Sequence, residues 1–263
     1  MIELHNGDTL EIMDKLIKKG VKVDAIICDP PFGSHNISWD IIIPFDEMWK
    51  RLNKLIKPNG AIVLFGTQPF TSLLIGSNIK GFKYTMVWKK SKCGSPLTAK
   101  YKPLTKHEDI MIFEQKGKRI NYNPQMKVGK AYKRKFTPNK VNNMKYGIKG
   151  VETNNTGTRH PDTILDFPQK WRRQDQVHPT QKPIPLMEFL ISSFSNEGET
   201  ILDFTMGSGT TGIASKQLNR NFIGIELDKK YFDITKNRID ESILGSSLEK
   251  LEDVDNLDSF DEF

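Results

Sequence analysis

Residues 201–239 constrain the fold more than any other part of the chain. Residues 201–204 are a short apolar run. Asp203-Phe204-Thr205-Met206-Gly207-Ser208-Gly209-Thr210-Thr211-Gly212 then leads through a glycine-rich turn into residues 210–218, which read as a helix. Residues 222–226 form a second apolar run and residues 231–239 a second helical pattern. Strand, turn, helix and strand in this order make a βαβ unit, so the chain should build an α/β domain on a mostly parallel sheet. Glycines between strand and helix let the backbone pass close to a ligand. A phosphate-loop reading fails because no lysine follows the glycines in the required pattern. Gly207, Gly209 and Gly212 do match the dinucleotide spacing, but Glu226 follows Gly212 by only 14 residues, short of the usual interval of about 20. At a strand end, Glu226 can accept hydrogen bonds from a ribose diol. It can equally be an acid at the N-terminus of the helix that follows.

Residues 23–28 (VDAIIC) are a third apolar run, and it ends at Asp29-Pro30-Pro31-Phe32. The prolines cannot continue a ladder, so the run reads as a buried strand entering a loop. In open α/β sheets ligands bind beyond the carboxyl ends of strands, which is where this tetrapeptide falls. Its chemistry suits an exocyclic amine, whose lone pair is delocalised into the base ring. A carboxylate from Asp29 and the carbonyl of Pro30, both accepting the amine hydrogens, would favour a pyramidal nitrogen with a free lone pair. Consecutive prolines hold that backbone rigid, and Phe32 offers a flat face for a base. The tetrapeptide is also compatible with a plain turn at a strand end.

Around these motifs, Leu10, Met13, Leu16 and Ile17 fall at helical spacing with Gly20 as a stop. Residues 61–65 read as a buried strand after the turn Pro58-Asn59-Gly60, and residues 84–88 and 110–113 as further strands. His178-Pro179-Thr180-Gln181-Lys182-Pro183 is a loop entering an amphipathic helix over residues 185–194. Lys182 could meet a carboxylate there, although a solvated lysine is the commoner outcome.

Charge points to a polyanion. Residues 241–263 hold eight acids and one base, which leaves 38 bases against 24 acids over residues 1–240. Residues 116–150 carry eleven Lys or Arg and no acid, interleaved with Tyr122, Tyr132, Phe136 and Tyr146. Residues 151–163 read as a polar loop, and the acidic tail from residue 245 as flexible. Two cysteines, Cys28 and Cys93, make no disulfide framework and the five histidines do not pair with them at zinc spacing, so no metal is expected. No apolar run reaches membrane-span length and the N-terminus lacks a signal pattern; the expectation is a cytoplasmic protein with no membrane partner.

Taken as a set, Asp-Pro-Pro-Phe after a strand, His-Pro-Thr-Gln-Lys-Pro, Asp-Phe-x-x-Gly-x-Gly-Thr and Gly-Ile-Glu resemble the amino-methyltransferases of DNA. With the catalytic motif ahead of the cofactor motif, the order resembles their β class. The likeness runs over residues 1 to about 240 and includes Gly7-Asp8, Gly60-Ala61 to Gly66, and His107-Glu108-Asp109-Ile110. It implies the class I S-adenosylmethionine-dependent, Rossmann-like fold with circularly permuted motif order. The catalytic half would span residues 1–115, an inserted target-recognition region 116–170, the cofactor-binding half 171–240, and the acidic tail 241–263. By the same resemblance Asp203, Phe204, Gly207, Ser208, Gly209 and Thr210 would line the S-adenosylmethionine site. Glu226 would hold the ribose, Asp8 would lie near the cofactor's adenine, and Thr180 and Lys182 would contact its methionine end. Asp29, Pro30, Pro31 and Phe32 would hold the target base. Phe32 stands where Tyr is more frequent, and Asp29 resembles the adenine-modifying members, cytosine N(4) enzymes more often having Ser there.

The implied activity is methyl transfer to adenine in double-stranded DNA by base flipping and direct in-line attack, with Lys130, Lys133, Arg134 and Lys135 among the phosphate-gripping bases. Cytosine N(4) or RNA methylation, and DNA binding without catalysis, are the alternatives. A homodimer and a cognate restriction endonuclease are further candidate partners.

Overall fold

Strand β2 (Val23–Cys28) shows why this sequence builds a sheet covered on both faces. Side chains alternate across a strand, and both sets here are apolar. Ala25 and Ile27 enter one core while Ile26 and Cys28 enter the other, all fully buried. In the computed structural model, which describes residues 1–33, 40–94, 96–115, 117–136, 151–169, 177 and 181–242, β2 lies inside an eight-stranded sheet. The order is β1 (Ile2–Asn6), β12 (Asn221–Glu226), β11 (Thr200–Asp203), β2, β3 (Ile56–Gly66), β5 (Thr105–Phe113), β4 (Phe82–Gly94) and β10 (Ile164–Asp166). Only β5 runs antiparallel to its neighbours. The mostly parallel sheet and the βαβ unit of residues 200–241 agree with the sequence-based expectation.

On one face, Ile26, Ile62, Leu64, Leu202 and Ile223 pack with Met13 and Leu16 of helix α1 (Thr9–Lys18), Leu52 of α2 (Phe45–Leu55) and Leu74 of α3 (Phe70–Ser77). On the other, Ile27, Val63, Phe65 and Ile201 pack with α4 (Ile184–Phe194), α5 (Thr210–Gln217) and Ile239 of α6 (Lys229–Glu241).

Three sequence-based expectations change. Pro58-Asn59-Gly60 does not precede β3 but lies inside it: the register against β2 steps from Val23↔Ile56 to Ala25↔Ala61, so these residues form an irregularity within one strand. Helix α4 is not amphipathic. Eight of its 11 residues are buried, Glu188 and Ser193 included. The chain before residue 124 covers its outer side: Tyr122 packs on Phe194 at 5.9 Å between ring centroids, and the Asn123 side chain donates to the Ser192 and Ser195 carbonyls at 3.2 and 3.1 Å. Residues 151–163 are not a loop throughout but contain β8 (Val151–Asn155) and β9 (Thr158–Arg159), which pair antiparallel with β7 (Tyr132–Phe136) and β6 (Lys127–Val128). The reversal between β8 and β9 comes from turn chemistry. Gly157 adopts φ +108°, and its N–H donates to Asn155 Oδ1 at 2.9 Å.

Residues 124–162 form a compact unit of their own, and the remainder of the chain forms the other unit. Among the described residues no helix is long and apolar enough to cross a membrane.

Candidate active site

The sheet's strand order reverses between β11 and β2. From β2 it runs outward through β3, from β11 through β12 and β1. The carboxyl ends of these two central strands therefore flank a crevice, the usual ligand position in such sheets. Thr205 ties the ends together. Its hydroxyl donates to the Asp29 carbonyl at 3.1 Å and lies 2.9 Å from Cys28 Sγ. Burial pushes the Cys28 thiol pKa well up, and the nearby Asp203 adds to this. Cys28 thus stays protonated and is no nucleophile.

The glycine turn is held from several sides. Gly207 and Gly209 have φ of +51° and +74°, the left-handed region where glycine is at ease. At Gly209, which caps α5, a side chain would collide with Thr235 of α6. Gly207 N–H donates to Glu226 Oε2 at 2.9 Å, Thr235 Oγ1 donates to the Gly207 carbonyl at 2.5 Å, and Arg238 donates to the Ser208 carbonyl. Asp203 works inside this frame. It accepts from Thr211 Oγ1 at 2.6 Å and from Thr205 N at 3.2 Å, and burial raises its pKa to about 6.

The N-terminal acid of α6 is Asp228, whose carboxylate accepts from Lys230 N at 2.8 Å and Tyr231 N at 3.1 Å. Glu226 is left to the crevice, where it takes the amides of Gly207 and Asp228 and burial raises its pKa. Asp8 caps α1 by accepting from Glu11 N at 3.0 Å.

Across the crevice, Asp29 begins a chain of buried charges. Lys182 is only 6% exposed, so the solvated-lysine reading does not hold. Its ammonium donates to Asp29 Oδ2 at 2.5 Å and lies 3.1 Å from Glu108 Oε2, while Glu108 Oε1 meets Lys90 Nζ at 2.9 Å. Burial raises the Asp29 pKa to about 6; Lys182 opposes this and Glu108 adds to it. Burial works against the Lys182 charge, but the two carboxylates outweigh it and its pKa rises. For Glu108 burial is likewise outweighed, by Lys182 and Lys90, and its pKa falls. Asp29 is thus oriented through one oxygen. Among the described residues, its buried Oδ1 has no hydrogen-bond partner. Phe32 is braced by Phe70, 5.0 Å away between ring centroids, and the amides of Phe32 and Gly33 both donate to buried Asp40 Oδ1 at 2.9 Å.

These groups line one cavity of about 920 Å³, within the range of small-molecule and cofactor pockets. Asp8, Asp29, Pro30, Pro31, Phe32, Lys182, Asp203, Phe204, Gly207, Ser208, Thr210 and Glu226 all line it. Gly209 shapes the turn without lining the cavity. Thr180 lies outside the described residues, as do residues 137–150 of the basic segment and the acidic tail from residue 243.

Lys130, Lys133, Arg134 and Lys135 are exposed on the 124–162 unit. Alternation along β7 sends Lys133 and Lys135 to one face and Arg134 to the other. Sequence reasoning missed the roles of Glu108, Lys90, Asp40 and Thr205. Only Glu108 carried a signal, as an acid just ahead of the apolar residues that end β5.

Residues 23–237 match the family model described as DNA methylase. The type II methyltransferase M.HpaI of Haemophilus parainfluenzae is 29% identical over 239 residues, spanning 85% of this chain and 70% of the relative. M2.DpnII of Streptococcus pneumoniae, also a type II methyltransferase, is 29% identical over 265 residues, with 91% and 90% covered. The crystal structure of the M1.HpyAVI–SAM complex superposes with a TM-score of 0.64 at 28% identity, over 91% of this chain and 99% of the other. Since the family model spans most of the sequence, from β2 at the crevice to within helix α6, the chain belongs to the DNA methylase family.

Proposed function

We propose that this chain methylates the exocyclic N6 amine of adenine at a specific site in double-stranded DNA, with S-adenosylmethionine as methyl donor. The observation that carries the reading is the buried, unpartnered Oδ1 of Asp29, a residue that lines a roomy cavity. A buried polar atom without a partner calls for an explanation, and a ligand amine supplies one. One more such atom, Thr9 Oγ1, belongs to a residue lining the same cavity. Polar groups awaiting partners, a glycine turn and the Glu226 carboxylate fit a nucleoside-bearing cofactor. Asp8, Phe204, Ser208 and Glu226 would hold it, and when bound it supplies an electrophilic methyl group on a sulfonium.

The chain's own residues prepare the nucleophile. Asp29 Oδ1 and the Pro30 carbonyl accept the two amine hydrogens, which draws the lone pair out of conjugation. Lys182 keeps Asp29 ionised and fixed in rotation through Oδ2. Phe32, held against Phe70, supports the base. Removing the base from the duplex costs roughly a few kcal/mol, offset by contacts such as these. The amine then attacks directly and its surplus proton leaves toward Asp29. Cys28, kept protonated, takes no covalent part.

The test is to methylate unmethylated phage DNA with isotopically labelled S-adenosylmethionine, digest it to nucleosides and separate them. Label in N6-methyl-2′-deoxyadenosine supports the reading. Label in N4-methyl-2′-deoxycytidine reassigns the base, and label taken up only by total RNA in a parallel reaction reassigns the polymer.

A further inference from the structure

The turn between β4 and β5 is unlike an ordinary connection. Residues 89–107 contain six lysines and no acid. Lys89 and Lys90 are paired with Asp166 and Glu108, whereas Lys92, Lys100, Lys102 and Lys106 are exposed and in no ion pair among the described residues. Leu97 and Tyr101, at 93% and 86% exposure, stand out among them. The segment has internal order: Ala99 N donates to the Pro96 carbonyl, and Tyr101 N and Lys102 N to the Thr98 carbonyl, at 3.2, 2.9 and 3.1 Å. It also borders the cavity, which Gly94, Lys102 and Thr105 help to line.

An aromatic ring held in water between two lysines, one residue from the wall of the cavity, suits a polyanion that presents flat apolar surfaces. Nucleic acid is such a partner: phosphates meet the ammonium groups, and bases stack on the ring. A duplex that gives up one base to a pocket is left with a gap in its stack beside that pocket, and side chains inserted between bases are a general way of stabilising deformed DNA.

We propose that the β4–β5 turn is a second DNA-contacting surface, apart from the 124–162 unit, and that Tyr101 enters the stack at the place the target base vacates. This rests on the base-flipping reading above. Lys100 and Lys102 grip phosphates on either side, and the turn couples phosphate binding to opening of the cavity's occupant base.

The test uses the full chain and short duplexes bearing the site found by sequencing methylated DNA from expressing cells. One duplex is fully paired; the other has the target base mispaired and so already loosened. Tyr101→Ala should weaken binding to the paired duplex roughly tenfold, the scale of one lost base–aromatic stack, and slow single-turnover methylation. Tyr101→Trp should restore both. The deficit should shrink on the mispaired duplex for methylation rate, since opening is already in place there. Lys100→Gln with Lys102→Gln should lower the salt slope of binding by up to about two units. Because the Tyr101 side chain is exposed and does not line the cavity, S-adenosylmethionine affinity should stay unchanged in Tyr101→Ala and Tyr101→Trp. Wild-type rate and affinity in Tyr101→Ala, or an equal rate deficit on both duplexes, would overturn the stacking role. An unchanged salt slope would overturn the surface. If the unaltered protein methylates no DNA, it is the functional reading that fails.

Discussion

Lys182→Met offers a quantitative probe of the charge chain behind Asp29. The account needs Asp29 ionised to accept the amine hydrogens, so methylation should fall as pH drops through about 6, where burial places its pKa. Removing the ammonium 2.5 Å from Oδ2 takes away the interaction that most favours the charged form. A pair at about 4 Å and an effective dielectric near 20 is worth roughly 4 kcal/mol, or about three pKa units at roughly 1.4 kcal/mol each. Water entering the space left behind would recover part of this, so the acidic limb should move up by at least about one unit. Glu108→Gln should move it the opposite way, because it removes a like charge and leaves Lys182 more fully to Asp29. The assay is single-turnover transfer of labelled methyl to phage DNA between pH 5 and 9, with thermal melts alongside to confirm that each variant is folded. Limbs that shift in the same direction in both variants, or in neither, would refute the electrostatic argument.

Further outcomes follow from the cofactor side and the basic unit. Glu226→Ala should weaken S-adenosylmethionine binding by roughly 1 to 3 kcal/mol, since it frees the Gly207 and Asp228 amides as well as any ligand hydroxyls; calorimetry on the folded variant checks this. Asp203 has its folded pKa raised to about 6 by burial, so its stabilising contribution is fully present below the unfolded value near 4 and is lost as pH rises through 6. The stability of Asp203→Asn relative to wild type should therefore rise between pH 4 and 7, as thermal melts across that range would show. Lys133→Gln with Lys135→Gln should lower the salt slope of DNA binding by nearly two units and Arg134→Gln by about one at most, because β7 turns them to opposite faces. Titrations at several salt concentrations that showed no change for either would move the DNA surface away from β7.

What could be read from the sequence was whatever local chemistry decides. Residues 23–28 are apolar at every position but Asp24, the signature of a strand buried on both faces, and prolines end the run where the strand ends. The 203–212 turn was legible because glycine at 207 and 209 is demanded by backbone geometry. Pairings between distant residues were not legible. Lys182 and Asp29 are 153 positions apart, and nothing near Lys182 reveals that the segment entering α4 brings it to the end of β2. Strands β6 to β9 escaped because they are short and mostly polar, with no apolar alternation to mark them. Helix α4 looked one-sided because its second cover comes from residues 120–123, more than 60 positions earlier.

The central claim, that Asp29 acts on the target amine and not on the cofactor, is tested most directly by Asp29→Ala measured two ways. S-adenosylmethionine affinity by calorimetry should remain near the wild-type value, because the Glu226 and glycine-turn contacts do not involve Asp29. Methyl transfer to DNA in a single turnover should be abolished. Transfer at a rate comparable to wild type would contradict the account, and loss of cofactor binding in a folded variant would place Asp29 in the cofactor site instead.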